Sequence, residues 1–425
     1  MPKILMIAHN GFSDENANGI TMKNLLSGWA PEEKAEFYCD VQPLDSTAAA
    51  SAFRVTDMDM LKALLGRGGG SELTGAAVKM ARETDGTKSA ARSIPGWLKK
   101  TKHSFAMKWV REGLRVISPW GHRALDQWID QIAPDVIVYM VGDSLFLDHL
   151  VVRTCERLRA PLVLYQAEAY RIIHLQTRRG LEKAYCRCCE RSYAGLADRA
   201  ALILYNCTLL RLEHERWYGS EEKGVVAYNG ADFTAPPYQP DDSVRITYFG
   251  NLGVGRSASL IDIARTLREI SASLFLDIYG SADEAVQARF AAEEAIRYHG
   301  FLPPEALRQV IAASDILVHA ESFDADIIPK LRYAFSTKIA QCLRAGRCLL
   351  AYLPEGSASA VYLQETGAAA VATSRPALRL VLAQLQDGAL RAEYAARALA
   401  VGQKNHDRVE TAQMVRNRIG AICGE

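Results

Sequence analysis

No stretch of the 425 residues approaches the roughly 18 consecutive apolar positions of a membrane-spanning helix. The longest apolar runs are strand-sized, such as Val136-Ile137-Val138-Tyr139-Met140-Val141. The run Ile4 to Ala8 is likewise too short for the core of a secretory signal, so a first β-strand is expected there and no export signal. A surplus of one charge sign is also missing. Lys+Arg 50 against Asp+Glu 49 leaves +1, which provides no global field to draw the chain onto nucleic acid or anionic lipid. Any such partner has to be met by a local patch, and no nucleic-acid motif accompanies one. Cysteines number nine, an odd count, with a single C-x-x-C at Cys186 and Cys189 and no second ligand pair at useful spacing. They read as reduced thiols of a cytosolic protein, and a zinc site is not expected.

What is present is an alternation of strand-like and helix-like patterns in two series. The first has strand runs at 3–8, 135–141, 161–166 and 201–205, with helix patterns such as Arg123 to Ile132 and Leu147 to Leu158 between them. The second has strands at Val244 to Phe249, Leu274 to Tyr279 and Ile316 to Val318, with helices over Ser259 to Ser271 and Pro304 to Ala313. Each series predicts a doubly wound α/β domain. The expected division is a first domain over 1–228, a linker over 229–243, a second domain over 244–402, and a terminal helix over 403–425 that packs back on the first domain. Within the first domain, about 66–96 is glycine-rich and featureless and is expected as a mobile insertion. From 97 to 123 there are seven Lys/Arg (Lys99, Lys100, Lys102, Lys108, Arg111, Arg115, Arg123) against one acid, Glu112, interleaved with Trp97, Trp109 and Trp120. Two readings fit that segment: a helix lying in an anionic membrane interface, or a helix whose apolar stripe packs on its own domain while its basic face is solvated.

Ligands of doubly wound sheets bind at the carboxyl ends of the strands, so the chemistry is sought in those loops. After the first strand come His9, Asp14 and Gly19, leading to a helix expected from Thr21. This loop is no dinucleotide fingerprint, but Gly19 and the amides beyond it suit close approach of a ligand. Asp143 and Glu168 follow later first-domain strands. In the second domain Gly250, Asn251, Gly253 and Gly255 precede Arg256 at a helix start, a combination suited to phosphate. Glu321 follows a strand directly, and Ser336-Thr337 read as the N-cap of a helix that carries Lys338 in its first turn and ends at Gly346. A lysine at a helix start opposes the helix dipole, which favours an anion there. The pairs Asp57-Asp59 and Asp324-Asp326 have the spacing of a metal-binding D-x-D but read as incidental, and no metal or other cofactor is expected.

In order along the chain, Tyr228-Asn229-Gly230-Ala231-Asp232, Tyr248-Phe249-Gly250 with Arg256, Tyr298 to Pro303, Ser314 to Val318, Glu321-Ser322-Phe323 and Lys338 to Gly346 resemble the corresponding pieces of GT-B glycosyltransferases. The resemblance is to the large retaining family whose signature is E-x7-E, and it spans most of residues 226 to 346. It implies an α/β chain with two Rossmann-like doubly wound domains facing across a cleft. It also implies a nucleotide-diphosphate sugar in the second domain, with Arg256 and Lys338 on the diphosphate and Glu321 near the hexose hydroxyls. Gly250, Asn251, Gly255, Ser336, Thr337 and Gln341 complete the donor set. The acceptor side would use His9, Gly19, Asp143 and Glu168. The sequence departs from the signature: the eighth position after Glu321 is Pro329, and counting back from Gly346 places Gln341 where the second Glu, which holds the ribose, is expected.

The function implied is hexosyl transfer, retaining, to a glycan or lipid-linked acceptor in cell-surface polysaccharide or glycoconjugate synthesis. It would take place in the cytoplasm or peripherally at the inner membrane face. The alternatives are a nucleotide-sugar epimerase and a GT-B-shaped scaffold or binding subunit, the latter motivated by Pro329 and Gln341.

Overall fold

A computed structural model describes residues 1–14, 16–74, 105–169, 171–173, 178–233, 235–241 and 244–424, with side chains from 108 onward in the helix Phe105–Ile117. The chain divides into two units. One comprises Met1–Asn206, Arg211–Ala227 and Ala412–Glu425, the other Cys207–Leu210 and Tyr228–Thr411.

The first unit is built on eight strands: β1 Ile4–Ile7, β2 Lys34–Tyr38, β3 Ser51–Arg54, β4 Ser71–Thr74, β5 Val136–Met140, β6 Leu162–Gln166, β7 Leu202–Tyr205 and β8 Gly224–Val226. Their order is β4-β3-β2-β1-β5-β6-β7-β8, parallel except for the β3–β4 pair. β1 and β5 are buried along their whole length, as expected of central parallel strands covered on both faces. The chain winds outward from β1 through β2 and β3 and returns to the other side at β5, so the loops after β1 and β5 diverge at a topological switch point. The region expected as a mobile insertion at about 66–96 is in part an edge strand: Ser71–Thr74 pairs with Ser51–Arg54. Its remainder from 75, together with Trp97 to Ser104, lies outside the described residues.

The second unit carries six parallel strands: β9 Ile246–Phe249, β10 Leu276–Tyr279, β11 Ile296–Gly300, β12 Ile316–Ala320, β13 Cys348–Tyr352 and β14 Ala370–Ala372, in the order β11-β10-β9-β12-β13-β14. Alternate side chains feed two cores on opposite faces of the sheet. Ile246, Tyr248, Val318 and Leu350 belong to one, and Phe249, Leu317, Leu349 and Ala351 to the other. The switch point here lies between β9 and β12.

Two expected boundaries differ from what the contacts give. The proline-rich 229–243 segment, expected as a linker, is tied to the second unit over its described part. Asn229 accepts from His406 Nδ1 through its carbonyl (3.0 Å), Arg347 donates to the Pro236 carbonyl (3.0 Å), and Tyr238 donates to Asp315 (3.0 Å). Prolines lack the amide that would place them in a sheet, so they set the path while neighbouring polar groups pin it. The expected terminal helix over 403–425 is the end of one helix, Gly388–Asn405, followed by another, Arg408–Cys423. From Ala412 the latter belongs to the first unit, where Val415 and Ile419 enter the core and Arg416 donates to the Gly28 carbonyl (3.2 Å).

Over its described part, the basic, aromatic segment does not turn its basic face to solvent. In the helix Phe105–Ile117 the cations face inward. Lys108 pairs with Asp143, Arg111 with Asp57 (2.9 Å), and Arg115 with Glu112 (3.3 Å) and Ser144 Oγ (2.7 Å). Glu112 also accepts from the Phe146 amide (2.8 Å), and Trp120 is fully buried. The acids of the neighbouring loops out-compete water for the basic face, and part of the apolar face is left outward. Asp57 and Asp59 are thereby accounted for: the first pairs with arginines, and the second caps the helix Asp57–Leu64 through Thr56. Cys186 and Cys189 are buried on the helix Gly180–Arg199.

Candidate functional site

At the switch point of the second sheet, the loops after β9 and β12 bring the expected residues Arg256, Glu321, Lys338, Gly250 and Gly255 together. The Arg256 guanidinium makes a two-pronged pair with the Glu321 carboxylate, Nε to Oε2 at 2.9 Å and Nη2 to Oε1 at 3.1 Å. Ser259 Oγ donates to the Glu321 carbonyl (2.7 Å), which fixes the start of that loop against the helix Arg256–Ile270. Burial pushes the Glu321 carboxyl above the usual carboxylate range, although Arg256 and Lys338 pull against it.

Among the described residues, the hydrogen-bond partners of Lys338 are neutral. Its Nζ donates to Tyr248 Oη (2.9 Å) and to the Phe249 carbonyl (3.3 Å), and it lies 4.5 Å from the centre of the Tyr248 ring. Enclosure by protein, and then repulsion from Arg256, push its pKa down to about 8. A cation so placed is under-compensated near neutral pH, and an arriving anion would relieve it.

The backbone around this cation is shaped by glycine. Gly250 lies at φ +114, and a Cβ there would stand 2.8 Å from Lys338 Nζ. Gly255 caps the helix Arg256–Ile270 at φ +76 with no side-chain cap bond; a Cβ there would stand 2.3 Å from Ser322 Oγ. The helix start lies beside Ser322 and Asp324 without a side-chain cap, and its Arg256 and Ala258 amides donate to the Gly253 and Gly255 carbonyls (3.4 and 3.2 Å). Asn251 Oδ1 accepts from the Gly253 amide (2.7 Å) and holds the turn between them.

The N-cap expected at Ser336-Thr337 is not formed. Thr337 is already helical (φ −63, ψ −22) and makes no side-chain cap bond, while the Ser336 amide donates to Ser359 Oγ (3.3 Å). The helix it opens, Lys338–Arg344, has seven residues and carries Gln341 on an exposed position. Pro329 sits in a separate helical turn, Ile328–Leu331.

No family model and no curated protein matches the sequence. Solved structures do. Anabaena HepE in complex with UDP superposes with a TM-score of 0.66 at 13% identity, covering 99% of this chain and 100% of that one. Sucrose-phosphate synthase from Thermosynechococcus elongatus gives 0.61 at 11% over 99% and 100%, and WaaG, a glycosyltransferase involved in lipopolysaccharide biosynthesis, gives 0.56 at 13% over 99% and 100%. The fold is GT-B. Its two doubly wound domains are the two units described above.

In the first GT-B domain the expected acceptor-side residues are placed as follows. His9 is exposed at the carboxyl end of β1. Asp143, beyond β5, is paired with Lys108. Glu168 follows β6, and its carbonyl accepts from Gln166 Nε2 (2.7 Å). Gly19 is not a ligand-facing glycine. The helix begins at Ala17, earlier than expected, and the Gly19 amide donates to the N-cap Asn16 (2.7 Å). A Cβ on Gly19 would stand 2.7 Å from the Gly11 carbonyl oxygen and the Ser13 amide nitrogen, so the residue permits close packing of loop on helix.

Three features of the second GT-B domain escape sequence reasoning. Tyr248 is the partner of Lys338. His319 is buried on β12 with both ring nitrogens unbonded, 3.6 Å from Glu321, and burial lowers its pKa far below the ordinary value, so it is neutral. Phe301, beyond β11, is 71% exposed. The available signals were a histidine inside an apolar strand two residues before Glu321 and an aromatic straight after Gly300. Asp324 is drawn toward Gly255 by its loop. No cluster of three or more His, Cys, Asp or Glu able to hold a metal occurs among the described residues.

Proposed function

We propose that this chain is a glycosyltransferase that takes a hexose from a nucleoside-diphosphate sugar held in the second domain. The observation that carries the reading is Lys338, a cation whose hydrogen-bond partners are neutral, against the Gly250 turn at the switch point of a doubly wound sheet. The likeness to HepE with UDP supports it at the level of fold.

In this reading Lys338 and the start of the helix Arg256–Ile270 receive the diphosphate, and the exposed ring of Phe301 offers a face to the nucleobase. Gln341 hydrogen-bonds the ribose without charge. Glu321, shared with Arg256, accepts from hexose hydroxyls, while neutral His319 lies behind it. As the glycosidic bond breaks, negative charge grows on the departing diphosphate, and the fixed positive groups stabilise it. Transfer is retaining: the acceptor enters on the leaving-group face and its proton passes to the departing phosphate. No base is then required of the second domain. The acceptor is a glycan or lipid-linked sugar, with His9, Asp143 and Glu168 on the acceptor side. The site works without a resident metal in the cytoplasm.

Calorimetric titration of UDP, GDP and ADP against the protein tests the donor site. Micromolar binding of one of them, unchanged by chelator, supports the reading. Absence of binding to folded protein overturns it in favour of a scaffold subunit, the reading that Gln341 in place of a carboxylate would support.

A pH dependence follows with a definite sign. Below pH 8 Lys338 is already protonated, so nucleotide binding takes up no proton there. Above about 8 the free protein has lost that proton and must regain it on binding. Affinity should then fall by up to about tenfold per pH unit until the pKa of the complex is reached. Titrations at pH 8.5 in HEPES and in Tris should give heats that differ by the buffers' ionisation enthalpies, in the direction of proton uptake. Equal heats would remove Lys338 from the anion site.

A further inference from the structure

The helix Phe105–Ile117 is amphipathic with its charged side turned in. Lys108, Arg111 and Arg115 point to Asp143, Asp57 and Glu112, while Val110, Val116 and Ile117 are 63%, 77% and 68% exposed. The helix Asp57–Leu64 lies beside it, joined by the Arg111–Asp57 pair and by Ser118 Oγ to the Met60 carbonyl (2.7 Å). It adds Leu61 (46%) and Leu65 (73%) to the outward side. Half-exposed Trp109 lies at the edge, its ring against Tyr185 with centroids 5.2 Å apart. Solvent-facing apolar residues from two adjacent helices are more than the scattered single exposures of an ordinary surface.

Among the described residues of these two helices, the charge left without a hydrogen-bond or ion-pair partner is basic. Lys62 is exposed on the helix Asp57–Leu64 between Leu61 and Leu65, and Arg67 is exposed just beyond it. The acids of the two helices are all engaged: Asp57 by Arg111 and Arg115, Asp59 by Thr56, and Glu112 by Arg115 and the Phe146 amide. A second copy docked on the same face by two-fold symmetry would set cations against an uncharged surface with no carboxylate to meet them. An anionic bilayer satisfies both parts, with aliphatic groups in the acyl boundary, tryptophan at the interface and cations at the phosphates. We infer that the face of Val110, Val116, Ile117, Leu61 and Leu65 docks the protein on an anionic lipid bilayer. Because Lys108, on the inward side of the same helix, holds Asp143 beyond β5, the helix that presents this face also positions an acceptor-side residue, and the acceptor is then lipid-linked; that last step rests on the glycosyltransferase reading.

Co-sedimentation of the full chain with vesicles tests this, using phosphatidylcholine alone and phosphatidylcholine containing about one third phosphatidylglycerol. Wild type should pellet with the anionic vesicles, less at raised salt and less with phosphatidylcholine alone. The double variant V116E/I117E should lower the partition coefficient about tenfold or more, and K62E/R67E should remove most of the salt dependence. These positions are exposed, so the variants should keep the wild-type circular dichroism and nucleotide affinity. Vesicle binding without nucleotide binding would leave the bilayer face standing and remove the donor site. Wild type remaining in the supernatant, or V116E/I117E pelleting equally, would overturn the inference. So would light scattering that shows a dimer which V116E/I117E converts to monomer.

Discussion

Lys338→Ala should lower the rate of glycosyl transfer by on the order of 10²–10³, the usual effect of removing one preorganised group that stabilises developing negative charge. Tyr248 and Phe249 cannot substitute for it, since they offer a hydroxyl and a carbonyl where a diphosphate needs a cation. The fold should not suffer. A lysine whose folded pKa is pushed down to about 8 opposes folding below that pH, and the penalty is relieved between about 8 and its ordinary 10.5. Lys338→Met, which keeps the buried volume, should therefore be at least as stable as wild type at pH 7 while losing nucleotide binding. Paired urea and calorimetric titrations separate the two effects. A variant that unfolds more easily but binds nucleotide normally would make Lys338 structural and remove it from the site.

Asp148→Ala should destabilise the first unit by about 3–5 kcal/mol, because it strands a buried guanidinium. Arg171 donates to Asp148 Oδ2 at 2.7 Å and Oδ1 at 2.9 Å, Tyr139 donates to the same carboxylate at 2.8 Å, and Asp148 is 0% exposed. The same guanidinium also reaches the carbonyls of Gly142 and Cys189, so it holds the loop that presents Asp143. Replacing both partners, with Asp148→Leu and Arg171→Met, should recover much of the loss, since no charge is then left unpaired. Urea unfolding followed by circular dichroism reads both variants. A cost below about 1 kcal/mol for the single variant would mean that the two carbonyls suffice for Arg171.

Much of the frame could be read from the chain because central parallel strands are continuous apolar runs. The expected runs at 3–8, 135–141, 161–166 and 201–205 contain β1, β5, β6 and β7, and those at 244–249 and 274–279 contain β9 and β10. Two of the strands that escaped are atypical. β2 carries Lys34 and Glu36, both buried, with Glu36 Oε2 accepting from the Phe12 amide at 2.7 Å; charges of this kind break an apolar pattern. Burial pushes the Glu36 carboxyl up to about 8, so it sits protonated where the pattern called for an apolar residue. β11 is only half-buried, and alternation over five residues is a weak signal.

The two doubly wound halves are legible along the chain, because strand and helix periods are local properties of side-chain order. The sequence also placed Arg256, Glu321 and Lys338 at strand ends and helix starts, since a residue's position relative to its own element is local too. What the tertiary structure decided was pairing. Arg256 is spoken for by Glu321, 65 positions away, which leaves Lys338 with Tyr248, 90 positions away, and makes it the under-compensated cation. Thr337 looked like a cap but lies within the helical turn, and Gly19 looked like a ligand loop but serves packing. The helix Phe105–Ile117 turned its cations inward because Asp57 and Asp143, distant in sequence, were there to receive them. Electrostatic partners are chosen by proximity in the folded chain, and no local pattern contains that information.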